Sequence, residues 1–194
     1  MDFRPLDYSD LVLMHRWLNT PHVMKWYSKK QKSYQEILTK YKPYILKKNG
    51  IEGFIAHYNG TPIGYVQYFP AQSYYKLNMY KYPKLKKAAG LDMFIGEEFY
   101  LGRGFSKKLL NDFLTAVVRL DYSYCVVDPE VDNTIAKKAY MSANFKSLKK
   151  IYTDEGRVHE IFMSPLLRKS MYQIRQDTKK RHPANKRKLI LKNI

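Results

Sequence analysis

Residues 90–120 read as a strand (GLDMFIGEE), a Gly-x-Gly turn (LGRG, 101–104) and an amphipathic helix (FSKKLLNDFLTAVVRL). No other stretch narrows the choice of fold so far. In this arrangement successive backbone N–H groups and a helix N-terminus converge on an anion. Arg103, Lys107 and Lys108 add positive charge beside it. Gly102 and Gly104 also suit a tight turn that needs positive φ, so the turn alone leaves both readings open. A Walker loop requires G-x-x-x-x-G-K-[ST], which is absent. A dinucleotide fingerprint requires a third glycine, and position 107 is lysine. Asp128 is suitably spaced to be the acid of such a fingerprint, but the motif follows several antiparallel strands.

The flanking elements follow from period and punctuation. DFRPL (2–6) reads as a strand, and Leu11, Met14, Trp17 and Leu18 recur at helical spacing behind Ser9 or Asp10 as N-cap. NTPH (19–22) ends that helix, because the residue before proline disfavours α geometry. A second helix spans 33–46, with Ser33 and Glu36 as a capping box. EGFIAHY (52–58) and PIGYVQYF (62–69) flank Asn59-Gly60, a strong hairpin signal. SYCVVD (123–128) reads as a strand, and 131–145 as a helix capped by Asp132 or Asn133. Residues 146–154 and 157–164 read as a closing hairpin. The order β-α-α-β-β-β-α-β-α-β-β predicts an α/β (α+β) domain over 1–164, with a mixed, mostly antiparallel sheet of six to seven strands flanked by helices. Residues 165–194 form a basic tail beyond it.

Charge is the outlying feature of the composition. The net charge of +18 predicts attraction to polyanions. Half of it lies in residues 165–194, which carry ten Lys/Arg against Asp177 alone. KLNMYKYPKLKK (76–87) is a second basic cluster, rich in tyrosine. Lysines on phosphates with tyrosines for stacking would describe a nucleic-acid surface, but no recognition helix or RNA-binding signature is present. Solvated lysine-rich surface accounts for the same residues. Cys125, the only cysteine, sits in apolar YCVV and excludes an intrachain disulfide, and the five histidines lack metal-ligand spacing. No apolar run approaches the roughly 20 residues of a membrane span, and no secretory leader is recognisable, so a cytoplasmic protein is expected.

FYLGRG (99–104) resembles the [QR]-x-x-G-x-[GA] motif of the GNAT acyl-CoA N-acyltransferases, whose order of elements this chain shares. NTIAKKAYMSANF (133–145) resembles their N-x-x-A-x-x-x-Y-x-x-x-G-F helix. Phe99 departs from the first motif, and Asn144 replaces a glycine in the second. The resemblance covers about residues 1–164 and implies acetyl-CoA as cofactor, held where two central strands splay. By position it implies that Ile95, Gly96, Glu97 and Glu98 pair with pantetheine. Leu101, Gly102, Arg103, Gly104, Phe105, Ser106 and Lys107 then surround the pyrophosphate, Asn133 faces the cofactor, and Tyr140 lies near the thioester sulfur. WLNTPHVMKWY, LDMFIGEE and VVDPEVDNTIAKKAY look more closely like the aminoglycoside 6′-N-acetyltransferases, which carry W-L-N-x-x-H, G-I-D-x-F-I-G and T-D-P-x-x-x-N-x-x-A. That likeness implies Asp92 as base or amine anchor and Asp128 as a holder of a cationic acceptor. It also implies that Trp26 and Tyr41 line the acceptor pocket.

Acyl transfer to an amine asks for these residue types. The amine attacks only when neutral, so a carboxylate must take its proton directly or through water. Main-chain N–H groups polarise the thioester carbonyl, and a tyrosine hydroxyl can protonate the leaving thiolate. Blander roles exist for each residue: a cap or salt bridge for Asp92, a turn for Asp128, helix packing for Tyr140 and core for Trp26. The acceptor is less constrained. QSYYKLNMYKYPKLKKAAG (72–90) has five lysines and no acid, which repels a polycation, while Asp154 and Glu155 with Asp92 and Asp128 would make a local negative pocket. Three readings remain at this point: an aminoglycoside 6′-N-acetyltransferase; a GNAT enzyme for another amine or hydroxylamine, such as a siderophore precursor or polyamine; and a non-catalytic basic module on nucleic acid or anionic membrane. The first is expected, acting on a small-molecule amine as monomer or homodimer, with no metal, no specific nucleic acid and no membrane span.

Overall fold

The computed structural model describes residues 1–48, 50–74, 83–118, 121–153 and 156–166. Its strands are β1 (Asp2–Pro5), β2 (Glu52–Tyr58), β3 (Thr61–Pro70), β4 (Ala88–Ile95), β5 (Tyr124–Val127), β6 (Lys146–Tyr152) and β7 (Val158–Pro165). All seven join one sheet in the order β1-β2-β3-β4-β5-β7-β6. Only β4 and β5 run parallel. Their pairing is short, from Ala88↔Tyr124 to Gly90↔Val126. On its other edge β4 stays paired with β3 as far as Gly64↔Ile95. Past Gly90 the sheet therefore opens as a V, with one edge of β4 left without a neighbouring strand among the described residues. This is the expected mostly antiparallel sheet, splayed at its centre.

The helices are α1 (Leu11–Leu18), α2 (Pro21–Val23), α3 (Tyr34–Ile45), α4 (Ala71–Tyr74), α5 (Phe105–Ala116) and α6 (Thr134–Ser142). The cap ahead of α1 is Asp7, not Ser9 or Asp10. Asp7 accepts from Ser9 N at 2.6 Å and Asp10 returns the favour to Asp7 N at 2.9 Å, so a short 3₁₀ turn precedes the helix. Thr20 is extended, as its proline successor demands, but the chain resumes as α2 with Pro21 in the first turn and runs into a wide π turn over Met24–Ser28. The sequence pattern registered only the break. At α3 the Ser33–Glu36 box is present, with contacts of 3.2 and 2.8 Å. The β2–β3 hairpin turns on Asn59 (φ 50°) and Gly60 (φ 79°). β4 stops at Ile95 rather than continuing through Glu98, which opens a 3₁₀ turn over Glu98–Tyr100. Of the two candidate caps for α6, Asn133 is the one used, accepting from Ala136 N at 3.1 Å.

Apolar residues are buried on both faces of the sheet. Leu11, Met14 and Trp17 of α1, with Ile37 and Tyr41 of α3, pack on Ile55, Tyr65 and Phe94. On the opposite face Leu109, Leu110 and Phe113 of α5, with Tyr140 of α6, pack on Val66, Tyr68, Leu91 and Phe162. Phe113 is fully buried, and burial of a side chain that size contributes roughly 2–3 kcal/mol. Helices are thus fixed to both faces of the sheet, and the α5–α6 core packs on strands from both arms of the V. Among the described residues no helix is long and apolar enough to cross a membrane.

Candidate active site

One end of the V is built to meet an anion. Gly102 (φ 69°) and Gly104 (φ 80°) turn the chain into α5, and a Cβ at either would meet nothing within 4 Å. Both glycines are therefore required by backbone conformation, while the space beside them stays open. Lys108 N donates to Gly104 O at 3.1 Å to start the helix. Among the described residues the N–H groups from Gly102 to Ser106 find no protein acceptor. Five main-chain donors at a helix N-terminus thus remain available next to Lys107 in the chain. Arg103 is oriented by Phe99, the departure from the family motif: its guanidinium carbon lies 4.0 Å from the centre of that ring.

The strand above the turn supplies an unpaired edge, displaced from the expected one. Gly96 N and Glu97 N both donate to Ile63 O, at 2.9 and 3.3 Å. Alternation along an antiparallel ladder then directs the main-chain groups of Met93 and Ile95 toward the open side of the V. The Ile95 carbonyl there is met by His22 Nε2 at 3.0 Å. Glu97 is turned away: its carboxylate pairs with Arg16 and accepts from Trp17 Nε1 at 2.9 Å, which holds it below the usual carboxylate range. Glu98 is largely exposed and lies 3.6 Å from His22 Nδ1. Of the four residues expected along pantetheine, Ile95 presents main-chain groups to the opening, joined by Met93, while Gly96 and Glu97 turn their N–H groups to β3.

Carboxylates gather at the other end. Asp92 keeps some exposure toward the V, but its carboxyl is set deep beside Gln67 Nε2, which donates to it at 2.8 Å. Gln67 is in turn fixed by the Tyr65 hydroxyl at 2.8 Å. Loss of hydration, with the Asp128 charge next, pushes the Asp92 carboxyl up to about 6. Asp128 lies just past β5, where its carbonyl accepts from His159 Nδ1 at 2.7 Å and its carboxylate stands 3.4 Å from the same nitrogen. Those contacts raise His159 above the ordinary histidine range. Tyr140 is buried on α6 within electrostatic reach of both carboxylates, and burial raises its hydroxyl so that it stays protonated. Asn133 uses its side-chain oxygen as the helix cap.

A groove of about 710 Å³ is walled by the π turn, α3 and Arg157, and two of its wall residues, Tyr27 and Lys40, lie within electrostatic reach of Asp92. Tyr41 lies wholly buried behind this wall, its ring 5.5 Å from Tyr65. The buried hydroxyls of Tyr27 and Tyr41 have no aligned hydrogen-bond partner. Trp26 is not part of the wall; it stands half-exposed between Lys25 and Lys29, whose ammonium groups lie 4.9 and 5.3 Å from its ring centre. Asp154, with Glu155, lies outside the described residues. Sequence patterns gave no notice of Tyr27, Lys40, Gln67 or His159, because each is brought to Asp92 or Asp128 from a distant element. Only the alternation of β3, which places Gln67 opposite Asp92, offered a signal.

An acetyltransferase (GNAT) domain model matches residues 7–153. The chain belongs to the GNAT acetyltransferases. Within that family, this GNAT protein is 27% identical over 164 residues to the aminoglycoside N(6′)-acetyltransferases type 1 of Klebsiella pneumoniae and Serratia marcescens, covering 79% of this chain and 77% of each relative. Solved structures share its fold. An AAC(6′)-Ib structure in complex with coenzyme A and kanamycin superposes with a TM-score of 0.74 at 21% identity, over 94% of this chain and 98% of that one. Spermidine N-acetyltransferase from Vibrio cholerae, in complex with CoA and spermine, superposes with a TM-score of 0.66 at 18% identity, over 86% of this chain and 96% of that one.

Proposed function

We propose that residues 1–164 act as an acetyl-CoA-dependent N-acetyltransferase on a primary amine, with the 6′-amine of an aminoglycoside as an acceptor. The observation that carries this reading is the position of Asp92, a carboxyl with raised affinity for protons at the mouth of an open strand edge. The structure fits the cofactor at both ends: unpartnered N–H groups at Gly102–Ser106 suit a pyrophosphate, and the free edge at Met93 and Ile95 suits an extended amide-bearing arm. Bound acetyl-CoA supplies the acyl group as a thioester, whose C–S bond breaks as the acceptor nitrogen bonds to the acyl carbon. Lys107 and Arg103 add charge at the anion end, where Leu101 and Phe105 flank the turn.

Asp92 accepts the proton that the amine must lose, and its raised affinity brings it closer to an amine than an ordinary aspartate stands. Gln67 orients the carboxylate by its hydrogen bond. Asp128, steadied by His159, holds a cationic acceptor on the far side of the opening. Main-chain N–H on the free edge of β4 polarises the carbonyl. The Tyr140 hydroxyl, kept protonated by burial, donates to the departing sulfur. The names of the sequence relatives support an aminoglycoside acceptor, and the residue pattern around Asp92 and Asp128 supports the same choice. The test is thiol release from acetyl-CoA with kanamycin, tobramycin and spermidine, followed by mapping the product. Release with kanamycin and a 6′-acetylated product is expected. Silence with every amine and no acetyl-CoA binding would overturn the reading.

A further inference from the structure

The groove whose wall residues Tyr27 and Lys40 lie within electrostatic reach of Asp92 has the wrong charge for a polycation. Its walls carry Lys29, Lys30, Lys32, Lys40 and Arg157 against one carboxylate, Glu36. Some of this charge is already answered. Glu130 takes both Lys29 and Arg157, at 2.5 and 2.8 Å, and Glu36 lies 3.5 Å from Lys32. Lys30 and Lys40 remain: among the described residues neither has a carboxylate within 4.0 Å. The Lys40 ammonium lies over the rings of Tyr27 and Tyr41, 5.0 and 5.1 Å from their centres. The hydroxyls of those same tyrosines are buried and interact with each other. Hydroxyls at Ser33 and Thr39 add polar groups to the same wall, while that of Ser28 donates to the Leu18 carbonyl at 2.6 Å.

We propose that this groove takes acceptor amines that also carry an anionic group, a carboxylate or a phosphate, and that the enzyme prefers them to uncharged amines of the same shape. The proposal rests on acetyl transfer at Asp92 and names the class of acceptor which that site serves besides aminoglycosides. The amine end lies at Asp92 and Asp128, and the anion lies against Lys30 and Lys40. A single molecule with both charges satisfies both ends of the site. A polycation satisfies one end and meets repulsion at the other. Partial desolvation beside the two tyrosines weakens the Lys40 ammonium, and an anion seated beside it offsets that loss.

The experiment compares matched acceptors that differ by one charge. Nα-acetyl-lysine and its methyl ester share the same amine, as do O-phosphoethanolamine and ethanolamine. The acid of each pair is expected to show kcat/KM higher by about tenfold at low ionic strength, the scale of one partly shielded ion pair. Lys30→Gln with Lys40→Gln should abolish that ratio, which is read within each matched pair so that any change in Asp92 cancels. Equal rates within each pair, or a ratio unchanged in the double variant, would overturn the proposal. Calorimetric titration of the acids and esters into CoA-loaded protein gives a readout independent of turnover. Tighter binding of the acids, lost in the double variant, supports the groove assignment even where kanamycin is not acetylated, and binding without preference defeats it. Acetylation of kanamycin with no preference among the pairs would uphold the enzyme reading and sink this one alone.

Discussion

Asp92 is held by opposing influences, and this makes its behaviour with pH specific. Burial and Asp128 raise its proton affinity, while Lys40, Gln67 and His159 lower it, for a balance of about 6. The proposed base works when ionised, so kcat/KM should fall as pH drops through about 6, with a limiting slope of one proton. Asp92→Asn should remove most turnover and that limb of the profile, with acetyl-CoA affinity nearly intact. Loss of cofactor binding instead would refute the assigned role. Stability moves the opposite way. The fold favours the protonated form, so the contribution from this site is full below the unfolded value of 3.8 and lost as pH rises through about 6. Near pH 8 the ionised carboxylate costs at most about 3 kcal/mol, from roughly 1.4 kcal/mol per unit. Asp92→Asn should therefore melt a few degrees higher than the parent at pH 8, with the gap closing by pH 4. An unchanged gap in thermal melts across that range would show that Asp92 is less desolvated than its surroundings indicate.

At the scale of elements, two glycines with the same backbone strain sit in different places. Gly104 and Gly60 have φ of 80° and 79°, and a Cβ at either meets nothing within 4 Å. A valine at each should cost about 1–3 kcal/mol of backbone strain, with no clash added. Gly60→Val strains only the β2–β3 hairpin, so it should lower the melting temperature and leave CoA affinity alone. Gly104→Val disturbs the turn that presents the free N–H groups, so it should weaken CoA binding several-fold at a similar stability loss. Calorimetry on both variants separates the two, and equal CoA affinities would deny the turn its role. These turns were legible in the sequence because Asn-Gly and Gly-x-Gly act locally, and the Ser33–Glu36 box was legible for the same reason. α2 was not, because a proline that ends one helix also starts the next, and the π turn after it has no residue signature. The boundary of β4 was missed because Glu97 is drawn to Arg16 and Trp17, more than 70 positions away, and no local pattern carries that contact. Lys40 and Tyr27 were invisible in the same way: what matters about them is what they face.

For the whole molecule the question is which field an arriving acceptor feels. The chain carries +18, a charge that at long range repels a polycation and attracts acetyl-CoA. Close to the site, Asp92 and Asp128 attract an amine from one side while Lys30 and Lys40 oppose it from the other. Exposed charges are screened beyond a Debye length, roughly 10 Å at 0.1 M salt, whereas contacts inside the groove are screened far less. Raising salt from about 20 to 200 mM therefore strips away the long-range field and leaves the local one. For acetyl-CoA, kcat/KM should fall over that range. For kanamycin it should rise, because the repulsion being removed comes from the whole surface while the two carboxylates proposed to hold its amine remain. A kanamycin rate that falls with salt would mean that the carboxylates govern the approach from a distance, and that the lysine-lined groove lies off the acceptor's path. Steady-state rates with each substrate varied at saturating partner decide it, since the two dependences are predicted to have opposite signs and a general effect of salt on the enzyme would move both together.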